Sequence, residues 1–99
     1  MPLTENFIKR ISENTGINID ELTTSALLAL LREKKRKAMM EKTEIMGRYN
    51  VNTLDELEDK IKKGEIAEHP AWEDLIVLEN LEDLIARITE DMETIQQTS

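Results

Sequence analysis

The sequence predicts an all-α fold: a small, dimeric bundle of about four helices, one of them long and the last carrying a heptad-like seam. Composition is the first reason. Charged residues make up 34% and aromatics 3%, with only three Gly and two Pro, a balance that suits long exposed helices better than a sandwich or a doubly wound sheet. The second is periodicity, since apolar residues recur three and four apart along most of the chain. The third is a set of helix starts and stops at Thr4, Gly16, Asn18, Thr53, Gly64 and Pro70.

A chain of 99 residues makes one domain, 1–99, with three parts: helix, turn and long helix (1–47), short capped helix and corner (48–70), and acidic heptad helix (71–95). A domain this small buries only about 60 to 65% of its unfolded surface, so partner contacts are expected to add stability. The net charge of −8 repels nucleic acid and steers basic partners. Without cysteine there is no disulfide, thiolate nucleophile or Cys-type zinc site. The longest apolar run, Ala26 to Leu31, is far short of the roughly 20 residues that cross a bilayer, and MPLTENF does not read as a signal peptide. No membrane association and a cytoplasmic location are expected.

The first helix is predicted over Thr4 to Asn14, with Leu3, Phe7, Ile8 and Ile11 on one face and Gly16 as its stop. Asn18 and Glu21 have capping-box spacing, and Ile17 and Leu22 stand as a hydrophobic staple. The second helix then runs from Ile19 to Met46, about 40 Å at about 1.5 Å per residue, if Thr23 to Ser25 do not interrupt it. Its ALLALL segment is expected to be buried on several sides, by the first helix and a second copy. The stripe lapses over Arg32 to Lys37 and resumes with Ala38, Met39, Met40, Ile45 and Met46, the methionines reading as gap-filling core.

Gly47 is predicted to end that helix, with RYNVN as a loop. Thr53 and Glu56 form another capping box, opening a helix to Lys63 with Leu54, Leu57 and Ile61 as its buried edge and Gly64 as its stop. Pro70 suits the first position of the last helix, with His69 extended before it and Glu73 and Asp74 near its positive end. From there Leu78, Leu81, Ile85, Ile88, Met92 and Ile95 make an oligomer seam, whose partner is either the second helix of the same chain or another subunit. Val77 and Leu84 widen the stripe toward bundle packing, and QQTS reads as a frayed tail.

No residue set amounts to a catalytic site, and no enzyme, cofactor or metal is expected. Glu65, Glu68, His69 and Glu73 have metal-capable spacing, but a lone His before Pro at a helix start reads as a cap or surface residue. Trp72 reads as a structural anchor joining the short helix to the last, in preference to an exposed partner anchor. Arg32, Lys34, Lys35, Arg36 and Lys37 read as a solvated face before they read as a nucleic-acid site.

Two segments resemble known proteins. Ile11 to Ala38 resembles the helix, TG turn and helix of ribbon-helix-helix antitoxins, with no counterpart of the ribbon in MPL; Tyr49 to Ile85 is similar to the C-terminal half of small archaeal and bacterial helical proteins of antitoxin-like gene context. The resemblance implies an antitoxin-like interaction protein, a homodimer that holds a basic partner such as a ribonuclease toxin. Glu79, Glu82, Asp83 and Glu90 on the acidic last helix are its candidate contacts. The alternatives are a structural helical homo-oligomer built on the seam, and a weak nucleic-acid binder using the basic block, which carries +4 and leaves −12 elsewhere.

Overall fold

Four helices succeed one another in the computed structural model, which describes residues 4–98: α1 (Glu5–Thr15), α2 (Ile19–Tyr49), α3 (Leu54–Lys62) and α4 (Glu68–Thr98). The described residues include no strand. α2 packs along α4, α3 packs on α4, and α1 packs on α2. The result is a rod of 61 × 28 × 19 Å.

The starts form for local reasons. Thr4 Oγ1 accepts from the Phe7 N–H at 3.3 Å, Asn18 Oδ1 from the Asp20 N–H at 3.1 Å, and Thr53 Oγ1 from the Glu56 N–H at 3.1 Å. The reciprocal bond of the α3 box runs from the Asn52 N–H to Glu56 Oε2 at 2.9 Å, one residue ahead of the cap. His69 is extended (φ −116, ψ 131), and the helix continues from Pro70 after a cis peptide bond. Leu3 lies outside the described residues.

Two helices end later than their sequence signals predict. α2 runs unbroken through Thr23–Ser25 and also through Gly47, and ends instead at Asn50 in the left-handed region (φ 54, ψ 48). There the Asn50 N–H donates to the Gly47 carbonyl at 3.3 Å and the Val51 N–H to the Met46 carbonyl at 3.2 Å, a Schellman closure that buries Val51. A glycine costs a helix only about 1 kcal/mol, so Gly47 does not end one whose next turn is held from outside. The same closure recurs at Gly64, where φ of 76 favours a residue without Cβ. At the far end α4 stays helical to Thr98, through Gln96 and Gln97.

α2 and α4 are antiparallel, and three contacts give their register. The Tyr49 hydroxyl donates to Asp74, Lys42 Nζ lies 3.0 Å from Glu82 Oε1, and Asp20, Glu21, Thr24, Ser25 and Thr98 line one shallow cleft at the opposite end. Between these points Leu28, Leu31, Lys35, Ala38, Lys42, Ile45 and Tyr49 recur three and four apart, all buried or half-buried. The stripe therefore does not lapse in the basic stretch. Lys35 and Lys42 are half-buried within it, as long aliphatic stems allow, and Lys42 Nζ reaches Glu82 at its edge.

The core sits at one end of the rod. Ala38, Ile45, Val51, Leu57, Ile61, Ala71, Leu75, Leu78 and Leu81 form it, with Tyr49, Leu54, Ile66, Trp72 and Ile85 half-buried around it. No described residue before Ala38 is fully buried, and beyond Leu81 only Ile88 is. One chain accordingly leaves several apolar groups open. Leu28 and Leu31 are half-buried while Ala26, Leu27, Ala29 and Leu30 are exposed, so the chain by itself covers ALLALL on one side. Met39, Met40, Val77 and Leu84 are also exposed, because they point beside the α2–α4 contact rather than into it.

Candidate interaction surfaces

The seam residues Leu78, Leu81, Ile85, Ile88, Met92 and Ile95 are all buried or half-buried, on the helix that packs along α2. The chain itself supplies their cover. What remains outward on α4 is acidic: Glu79, Asp83, Glu90 and Glu93 recur with Ala86 at spacings of four and three, so they share one exposed face. None of these four makes a salt bridge among the described residues. Glu82 differs, since its pairing with Lys42 places it on the flank of the hairpin.

The basic block is divided by the helix. Lys35 faces inward with its stem half-buried, while Arg32, Lys34, Arg36 and Lys37 are exposed at successive angles around α2. Arg36 Nη2 pairs with Glu33 Oε1 at 2.7 Å and its Nη1 lies 2.8 Å from Met40 Sδ. The hydrogen bond from Arg36 holds the Glu33 carboxyl below its usual range. Six consecutive helical residues thus form no single stripe for a phosphate backbone.

At the corner, Trp72 is half-buried against the core, while its neighbour Ala71 is fully buried and occupies the centre. Arg48 Nη1 lies 4.0 Å from Asp74, beside the Tyr49 hydroxyl. His69 Nδ1 and Glu73 Oε1 are 2.7 Å apart on the surface, and the Glu73 carboxyl is lowered first by its own backbone N–H and then by His69. No group of three or more metal-capable side chains converges among the described residues.

Sequence reasoning passed over one surface. Asp20, Thr23, Leu27, Leu30, Lys34 and Lys37 follow one another at alternating steps of three and four on α2, and all are exposed. Its two leucines belong to the ALLALL run, whose apolar total masks the exposed flank. Tracing the flank of the stripe, rather than its apolar total, is the signal that finds it.

Residues 1–99 match the family described as the "Uncharacterized protein MJ0235 family". The chain belongs to that family. A relative described as "Uncharacterized protein MJ0235", from Methanocaldococcus jannaschii, is 33% identical over 70 residues, which cover 71% of this chain and 85% of that one. No solved structure matches the chain. In this member of the MJ0235 family, no helix among the described residues is long and apolar enough to cross a membrane. Its charged side chains lie spread over several helix faces among the described residues.

Proposed function

We propose that this protein is a cytoplasmic, non-enzymatic interaction module that self-associates and holds a basic protein against the outer face of α4. The observation that carries the reading is the row of exposed carboxylates at Glu79, Asp83, Glu90 and Glu93, without salt bridges among the described residues. Such a row steers a cationic partner and selects against acidic ones. The likeness of Ile11 to Ala38 to antitoxins makes a ribonuclease the expected partner class, because a nuclease needs a positive site for phosphate. Carboxylates spaced along a helix occupy such a site.

Co-expression with the product of the neighbouring gene tests this. Co-purification that is lost in the E79K/D83K/E90K variant supports the reading, whereas no association and no inhibition of that protein refute it. A second reading, a structural homo-oligomer without a foreign partner, is favoured by the exposed apolar residues of α1 and α2. It predicts self-association that is indifferent to the α4 charges.

A further inference from the structure

Half of the rod lacks a core. In α1 no described residue is fully buried, and Phe7, Ile19, Leu27 and Leu30 leave 45%, 44%, 45% and 54% of their surface exposed. Ile8, Ile11 and Leu22 are only half-buried in the same half, and Ile8 lies beside Ile19, so apolar surface there exceeds what scattered surface residues leave.

We propose that a second copy of the chain covers this half, pairing antiparallel through the α2 stripe Asp20, Thr23, Leu27, Leu30, Lys34 and Lys37. The proposal rests on the self-association above and names its surface. Along the stripe the order is acid, threonine, two leucines, two lysines. A two-fold axis between Leu27 and Leu30 brings each leucine against the other copy's leucine, Lys34 against Thr23 and Lys37 against Asp20. The surface is its own complement, as an isologous interface requires. Parallel pairing would instead set Asp20 against Asp20 and lysine against lysine.

Charge supplies the choice of occupant. Asp20, Lys34 and Lys37 are exposed and make no salt bridge among the described residues, so both halves of the intermolecular pair stand ready. The other exposed apolar groups do not offer this. Ile76, Val77 and Leu84 are bracketed by Glu73, Glu79 and Asp83 with Arg87 as the single cation beside them, so self-pairing there leaves acids in excess, whereas the α2 stripe carries one acid against two lysines. Met40 already lies under the Arg36 guanidinium. The seam on α4 is taken by α2 of the same chain.

The test is sedimentation equilibrium of the full chain, with far-UV circular dichroism confirming that each variant keeps its helix content. The wild type is expected to be a dimer and L30E a monomer, with I76E, at an equally exposed apolar position, still dimeric. D20K and K37E each place like charges face to face and are expected to weaken the dimer about tenfold or more. D20K/K37E exchanges the charges and is expected to restore wild-type affinity, a recovery that no role confined to one chain produces. A monomeric wild type overturns both this proposal and self-association itself. A dimer indifferent to L30E, or one in which the double variant is no tighter than the singles, overturns the α2 pairing and leaves self-association standing.

Discussion

The Tyr49 hydroxyl donates to the Asp74 carboxylate, joining the last residue of α2 to the first turns of α4 across 25 positions of chain. This bond closes the corner. Losing it in Tyr49→Phe leaves a half-buried carboxylate short of one donor and is expected to cost about 1 to 2 kcal/mol, read from urea unfolding.

The same pair sets a pH limit. Burial first, then the hydrogen bond to Asp74 and its negative charge, push the Tyr49 phenol up to about 12. Because the folded value lies above the unfolded value of about 10, this contribution is complete below about pH 10 and is lost as pH rises toward 12. With one tyrosine in the chain, the tyrosinate absorbance reads it alone. Asp74→Asn should lower the midpoint without returning it to 10, since burial persists; a native midpoint near 10 contradicts the burial.

Stability is concentrated at the corner. Leu57 and Leu78 are 0% exposed, so Leu57→Ala and Leu78→Ala should each cost about 2 to 5 kcal/mol in denaturant unfolding. Hydrogen exchange should follow the same gradient, slowest at Ile45, Leu57 and Leu78 and fastest in α1. In the monomeric L30E variant, equal protection at both ends contradicts the placement of the core. By contrast, Glu82→Gln removes a surface pair with Lys42 and should cost less than about 1 kcal/mol, falling further with salt.

Three turns depend on left-handed backbone, at Gly16, Asn50 and Gly64, and the last two differ in residue type. Asn50 tolerates φ of 54 better than a residue with an ordinary Cβ, so Asn50→Ala should cost about 1 kcal/mol while Asn50→Gly is neutral or slightly stabilising. At Gly64 an added Cβ meets nothing within 4 Å, so the similar cost of Gly64→Ala would be backbone strain alone. Thermal unfolding at fixed protein concentration checks both.

Local signals were legible in the sequence, and contacts made at a distance were not. Thr4, Asn18, Thr53 and Pro70 mark helix starts because capping depends on neighbours within one turn. Gly47 misleads because the tie from Tyr49 to Asp74, which holds the following turn, is 25 residues away in the chain. Lys35 and Lys42 hide the inward stripe because only packing shows which side their stems take. The heptad seam was evident, but whether its cover came from the same chain was a question of topology. Of the candidate partner contacts, Glu79, Asp83 and Glu90 share an outward face as spacing predicts, while Glu82 turns aside to Lys42.

The solution mass tests the account most directly, because the uncovered α1–α2 half is where the account places a second copy of the chain. At micromolar concentration sedimentation equilibrium should return twice the 11.4 kDa chain mass. A mass of 11.4 kDa, with helix content intact, would contradict it.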